Sequence, residues 1–200
     1  MEKYIIHGGH RLSGEISIQG AKNSVLPILA ATVISGKVST IFNIPKLRDV
    51  DMMIQILSSL GAKITPDGNT ITVDSSSISN LELPEEFVRE MRSSIIIMGA
   101  MLARFGEVKI AYPGGCEIGP RPIDLHLKAL RHMGAVIDEA HGFLDCKTTG
   151  LKGCDIQLDY PSVGATENIM LAAVTAEGIT TIRNAAREPE LIDLQHYLNS

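Results

Sequence analysis

Leu60-Gly61-Ala62-Lys63-Ile64 recurs as Met133-Gly134-Ala135-Val136-Ile137, and the echo marks two copies of one structural unit. Each glycine lies ten residues after an aspartate, Asp51 or Asp124. Glycine at that place commonly ends a helix in the left-handed conformation. The residues before it carry an apolar stripe at helical spacing: Val50, Met53, Ile54, Leu57 and Leu60 in the first copy, Ile123, Leu127, Leu130 and Met133 in the second. After the first glycine, Ala62-Lys63-Ile64-Thr65 alternates, turns at Pro66-Asp67-Gly68-Asn69 and returns as Thr70-Ile71-Thr72-Val73. That pattern predicts a β-hairpin.

Working outward, a longer period appears. Gly36, Gly106 and Gly178 each follow an apolar helical run and precede a short β-like run: Val38-Ser39-Thr40-Ile41, Val108-Lys109-Ile110 and Thr180-Thr181-Ile182. The glycines are about 70 residues apart, a repeat of large structural units. After each β-like run an acidic residue, Asp51, Asp124 or Asp193, is expected to open an amphipathic helix. The third unit's closing glycine falls due past Ser200, so the chain is expected to be a piece of a longer protein. The runs Val25–Ile34, Ile95–Ala103 and Ile169–Ala176 are apolar nearly all round, and such helices are normally enclosed by other structure. The expected fold is therefore α/β and inside-out, with pseudo-threefold repeats, buried helices and sheet outside.

Composition narrows the function. The 200 residues are 44% hydrophobic with a formal net charge of −5, enough for a real core and wrong for a nucleic-acid surface. Aromatic residues make up 4% with no Trp, leaving few stacking platforms for bases. The apolar runs are about half the ~20 residues needed to span a bilayer. Three cysteines, Cys116, Cys146 and Cys154, show no metal-ligand spacing. With no signal peptide, they point to a reduced, cytoplasmic protein. No metal and no cofactor are expected, nor a membrane or nucleic-acid partner.

Two features carry candidate chemistry. Fourteen residues before the repeat glycines stand Lys22, Arg92 and Gly164, each at a helix entrance. A cation there opposes the helix dipole unless an anion neutralises it, and phosphate does so well. Singly, Lys22 reads equally as a solvated lysine and Arg92 as a partner of Glu85, Glu86 or Glu90; their shared repeat position favours an anion site. In the third start, Ser162-Val163-Gly164, small residues let backbone approach a phosphate, although Gly164 also serves simply to relieve crowding. The second feature is the loop Tyr112-Pro113-Gly114-Gly115-Cys116-Glu117-Ile118-Gly119-Pro120-Arg121-Pro122. A thiol beside a guanidinium in a Gly/Pro-rich loop is poor core context, and Cys116 is the candidate reactive thiol. Cys146 and Cys154 read as ordinary small side chains. His126 reads either as a ligand or as a satisfied helix histidine.

Gly20-Ala21-Lys22-Asn23, Met91-Arg92-Ser93-Ser94, Pro113-Gly114-Gly115-Cys116, Gly119-Pro120-Arg121-Pro122-Ile123-Asp124-Leu125-His126, Ser162-Val163-Gly164-Ala165-Thr166 and Asn184-Ala185-Ala186-Arg187-Glu188-Pro189-Glu190 occur in that order. On these motifs the chain resembles the enolpyruvyl transferases, specifically the UDP-N-acetylglucosamine 1-carboxyvinyltransferase family, over essentially its whole length. The resemblance implies a cytoplasmic enzyme that opens peptidoglycan synthesis, and hence serves cell-wall biogenesis, shape and division. It would transfer the enolpyruvyl group of phosphoenolpyruvate to the 3′-hydroxyl of UDP-N-acetylglucosamine (UDP-GlcNAc) and release phosphate. It also implies two inside-out α/β barrel domains with the site between them. Residues 1–20 would give a strand to the domain formed by a C-terminal half, and residues 21–200 would form the three-repeat domain.

Residue roles follow from the same resemblance. Lys22, Asn23 and Arg121 would meet phosphoenolpyruvate. Asn23, Arg92, Arg121, Pro122, Ile123, Asp124, Leu125, Ser162, Val163 and Gly164 would meet UDP-GlcNAc. Cys116, with Lys22, would be catalytic, the thiol acting as general acid and as the target of fosfomycin. Tyr160-Pro161 stands where some members carry Lys then Val, so a charged nucleotide contact is missing or replaced. The family's general base lies in the C-terminal half, so this chain alone is expected not to turn over. The competing readings are a shikimate-phosphate enolpyruvyl transferase, which gives Cys116 no role, a non-catalytic UDP-sugar-binding fragment, and a purely structural fragment.

Overall fold

The computed structural model describes residues 3–113 and 123–200. Its centre is made by three helices whose sequences leave no polar face: α1 (Lys22–Ser35), α4 (Ile97–Phe105) and α6 (Val163–Ala173). Val25, Leu29, Ala30 and Val33 of α1, Ile97 to Leu102 of α4, and Ala165, Ile169, Leu171 and Ala172 of α6 are all buried in one core. Helices of this kind stay in water only when other elements cover them on every side. Here they cover one another, and strands and amphipathic helices cover the remainder.

The first unit continues from α1 into β1 (Val38–Ile41), α2 (Arg48–Leu60) and the hairpin β2 (Lys63–Asp67) and β3 (Thr70–Asp74). The sheet order is β1-β3-β2, antiparallel throughout, with Thr40 opposite Thr72 and Ile64 opposite Val73. The second unit repeats this plan. A short α3 (Glu85–Glu90) and a 3-10 helix (Arg92–Ile96) lead into α4, then β4 (Glu107–Ala111), α5 (Asp124–His132), β5 (Val136–Ala140) and β6 (Phe143–Lys147). Its sheet order is β4-β6-β5. The third unit holds β7 (Asp155–Gln157), α6, β8 (Thr181–Arg183) and α7 (Pro189–Leu198), with β7 and β8 parallel. A parallel bridge from Glu82, just before α3, to Lys109 of β4 makes the same kind of link in the second unit.

The repeat predicted from the glycines is present, with adjustments. Gly36 (φ 63°) and Gly106 (φ 70°) cap α1 and α4 in the left-handed region, which costs glycine little. Gly178 does not cap α6: that helix stops at Ala173, and Gly178 lies in the link beyond. Asp124 opens α5, and Asp49 and Asp51 both sit in the first turn of α2. Asp193 does not open α7. Pro189 does, because its fixed φ and missing N–H suit a first turn. Asp193 instead accepts a 2.6 Å hydrogen bond from Ser24 Oγ, while Tyr197 Oη donates to Ser39 Oγ at 2.9 Å. Both bonds bring α7 back onto the first unit. Over residues 3–20 the expected strand is not formed, and Tyr4, Ile6, Leu12, Ile16 and Ile18 are exposed. An extended segment becomes a strand only when a neighbour takes its N–H and C=O groups.

Two polar devices hold the central helices in register. Arg104 of α4 donates to Val33 O and to Ser75 O, both at 2.8 Å, placing a cation at the C-terminal end of α1, where the helix dipole favours it. Asn168 of α6, wholly buried, accepts from the Gly99 N–H at 2.6 Å. Gly99 is where α4 and α6 approach most tightly: an added Cβ would collide with the Asn168 backbone oxygen and stand 2.5 Å from its Oδ1. Gly99→Ala is therefore expected to destabilise the fold by about 3 kcal/mol, the upper part of the overpacking range, because backbone cannot swing aside. Denaturant titration checks this; an unchanged midpoint would mean that the two helices do not pack at Gly99.

Candidate functional site

Because the three central helices run together, their starts share one end of the core. That end opens into a cavity of about 780 Å³. Lys22 and Asn23 from the start of α1, Arg92 and Ser93 from the 3-10 helix before α4, and Ser162, Val163 and Gly164 from the start of α6 all line it. The three repeat-equivalent positions, Lys22, Arg92 and Gly164, thus meet at one place. His126 from α5, Asp49 from α2, Tyr160 and the carboxylates Glu90, Glu167 and Glu190 complete most of the wall.

The cations arrive by different routes. Lys22, half-exposed, donates to Asp49 Oδ2 at 2.9 Å. An exposed pair of this kind contributes about 0–1 kcal/mol, so an anionic ligand can displace Asp49 at small cost. Of the acidic residues foreseen as partners for Arg92, Glu85 pairs with Arg89 and Glu90 with Arg48. Asn23 Nδ2 reaches Glu190 Oε1 at 3.4 Å. At the start of α6, Ser162 caps the helix: its Oγ accepts from the Ala165 N–H at 3.3 Å and its backbone oxygen from the Thr166 N–H at 3.0 Å. The first N–H groups of the helix have no intrahelical acceptor and point outward with the positive end of the dipole. A Cβ at Gly164 would come 3.2 Å from His126 Cε1, so this glycine does relieve crowding, and what crowds it is the imidazole.

Of the site residues expected from sequence, Lys22, Asn23, Arg92, Ser162, Val163 and Gly164 line the cavity. Ile123, Asp124 and Leu125 do not: Ile123 and Leu125 are buried in the core, and Asp124 stands exposed on the first turn of α5. Cys116, Arg121 and Pro122 lie outside the described residues. Cys146 is fully buried, and burial followed by the Asp145 charge pushes its thiol up to about 12; burial also raises Cys154. Both shifts disfavour the reactive thiolate. No cluster of three or more His, Cys, Asp or Glu among the described residues could hold a metal, and no described helix is long and apolar enough to cross a membrane.

Reading the sequence gave no role to Asp49, Glu167, Asn168 or Glu190. The available signal was Thr166-Glu167-Asn168 inside an otherwise apolar helix, since buried polar groups need partners or lose their charge. Glu167 is 6% exposed, and burial, then the charges of Glu190 and Glu188, push it up to about 8. His126 is 7% exposed, and burial, then the Arg92 charge, hold it down to about 4. Around neutral pH the cavity floor therefore carries an uncharged carboxylic acid and an uncharged imidazole.

A sequence profile of EPSP synthase (3-phosphoshikimate 1-carboxyvinyltransferase) matches residues 6–200. A UDP-N-acetylglucosamine 1-carboxyvinyltransferase of Caldanaerobacter subterraneus subsp. tengcongensis is 55% identical over 200 residues, 100% of this chain and 48% of that protein. Among solved structures, the enolpyruvyl transferase NikO from Streptomyces tendae superposes with a TM-score of 0.82 at 26% identity, over 97% of this chain and 46% of its own. EPSP synthase from Acinetobacter baumannii matches at 0.64 and 19% identity, over 88% of this chain and 42% of its own, a likeness of fold alone. The chain spans about half the length of the curated relatives it matches.

The two buried groups give stability opposite dependences on pH. Glu167 ionises near 4.5 when unfolded and near 8 when folded, so its contribution is full below 4.5 and is lost as pH rises through 8. His126 ionises near 6.5 unfolded and near 4 folded, so its contribution is present above 6.5 and is lost as pH falls through 4. Glu167→Gln is expected to raise the melting temperature relative to wild type above pH 8 and to leave it nearly unchanged below pH 4.5. Melting curves across this range check it; a parallel shift at all pH values would show that Glu167 is not held protonated.

Proposed function

The chain belongs to the EPSP synthase (3-phosphoshikimate 1-carboxyvinyltransferase) family, and from that premise we propose that it forms the N-terminal half of an enzyme that transfers the enolpyruvyl group of phosphoenolpyruvate to the 3′-hydroxyl of UDP-GlcNAc, releasing phosphate. The observation that carries this reading is the convergence of three repeat-equivalent helix starts, two of them bearing a cation, on one cavity. Helix starts with adjacent cations suit phosphate, and the reaction brings three: one on phosphoenolpyruvate and two in the nucleotide sugar. Identity of about half to relatives named for UDP-GlcNAc, against 19% to a shikimate-type structure, supports this substrate over shikimate phosphate.

In this reading Lys22, Asn23 and Arg121 hold phosphoenolpyruvate. Arg92, the segment Arg121, Pro122, Ile123, Asp124 and Leu125, and the Ser162–Gly164 turn hold the nucleotide sugar. The exposed first turn of α5 leaves Asp124 accessible for that role; Ile123 and Leu125 would act through backbone, since their side chains belong to the core. Cys116 delivers a proton to the methylene carbon, building positive charge at C2, which the sugar hydroxyl attacks; phosphate then leaves and a proton is lost to restore the double bond. A positioned acid contributes about 10²–10⁴-fold. Fixed cations add orientation and charge stabilisation. The general base and further cations would come from a C-terminal half, whose domain would also recruit residues 1–20 as a strand. The complete fold would be a pair of inside-out α/β barrels in a cytoplasmic enzyme of peptidoglycan synthesis.

The test is calorimetric titration of UDP-GlcNAc, followed by intact mass after fosfomycin treatment. Wild type is expected to bind the nucleotide sugar and to gain one adduct on Cys116, faster with UDP-GlcNAc present and absent in Cys116→Ala. Arg92→Ala is expected to weaken UDP-GlcNAc binding about tenfold or more through loss of a charged contact. Binding of shikimate phosphate with no response to UDP-GlcNAc would reverse the substrate assignment.

A further inference from the structure

The buried Asn168 amide lies 3.0 Å from the His126 imidazole. Asn168 is wholly buried, and its side-chain bonds are fixed by backbone. Oδ1 accepts from the Gly99 N–H at 2.6 Å, and Nδ2 donates to Ile95 O at 3.1 Å. Turning the amide over would set oxygen against the Ile95 oxygen and NH2 against the Gly99 N–H, so only one orientation is satisfied. The second Nδ2 hydrogen lies toward His126 Nδ1, 3.0 Å away. Amide nitrogen only donates, so His126 Nδ1 must accept, and a neutral imidazole that accepts at Nδ1 carries its proton on Nε2. That nitrogen makes no hydrogen bond to any described residue. It faces the first turn of α6, where a Cβ on Gly164 would stand 3.5 Å from it, and His126 lines the cavity there.

We propose that Asn168 is a positioning residue: it fixes His126 as the Nε2–H tautomer and so adds a neutral side-chain donor to the N–H groups of Val163 and Gly164, to hold a diphosphate oxygen at the start of α6. This rests on the nucleotide-sugar reading above. The arrangement makes the donor insensitive to pH near neutrality. Protonating the ring would drive an Nδ1–H against the Asn168 NH2, in a setting already unfavourable to a second cation beside Arg92. Lys22, Arg89 and Arg92 on the cationic side, Asp49, Glu90, Glu167 and Glu190 on the acidic side, and the Tyr160 phenol are the other titratable and charged groups among the described residues that share this cavity wall. A fixed neutral donor can bind an anion without a compensating change in net charge.

The test uses the whole chain labelled with 15N at histidine, read by long-range nitrogen–proton NMR, with inorganic pyrophosphate and UDP-GlcNAc as separate probes. Wild type is expected to show His126 as Nε2–H, with that resonance shifting on addition of either probe. In Asn168→Asp the new carboxylate accepts from Nδ1, so the neutral ring holds its proton there. At alkaline pH pyrophosphate affinity is then expected to fall about tenfold or more relative to wild type. Finding Nδ1–H in wild type, or an Nε2–H that neither probe moves, overturns the proposal without any need for the variant to fold. A shift with pyrophosphate but none with UDP-GlcNAc supports the donor role and overturns the nucleotide-sugar reading instead.

Discussion

The fold depends on one constraint: α1, α4 and α6 have no face that water will accept, so they must be hidden by one another. Aligned contact between three such helices brings their starts to a common end. Everything that makes the site follows from that end. Lys22, Arg92 and Gly164 meet there because each occupies the same place in its own unit. The tight approach at Gly99, the Arg104 clasp on the end of α1 and the buried Asn168 amide are consequences of packing these helices without gaps.

The cavity is balanced rather than simply basic. Lys22 rests on Asp49, Glu190 reaches Asn23, and Glu167 is held protonated by its surroundings. A site lined only by cations would strain three helix starts that already carry partial positive charge. A weak, exposed pair such as Lys22–Asp49 relieves that strain. The uncharged floor, Glu167 and His126, keeps local field lines directed at the cations rather than cancelling them.

Much of the architecture was legible in the sequence because glycine at a helix end and alternation in a hairpin are local signals. The hairpin over 63–74 and the strands at 38–41 and 107–111 lie where the residues put them. Asp193 and Gly178 were assigned by analogy with their counterparts, and local chemistry prevailed: Pro189 is the better helix start, and α6 ends before its glycine. A strand over 1–20 depends on a neighbour, which no local pattern can supply. At the site, Lys22, Arg92 and Ser162–Gly164 were visible through the repeat, whereas the Asn168–His126 bond joins residues 42 apart in sequence and could be found only in three dimensions. The roles assigned to Cys116, Arg121 and Pro122 rest on resemblance, since residues 114–122 lie outside the described structure.

Had the three units stayed identical, their shared end would present three identical chemical groups, a receptor suited to a ligand with threefold symmetry. Lysine, arginine and glycine at the equivalent coordinates make it a receptor with a head, a side and a floor. Repetition supplied the coordinates, and divergence at single positions supplied direction. A molecule with distinguishable ends meets different chemistry at each of the three starts, so a preference for one orientation is already encoded in how the copies differ.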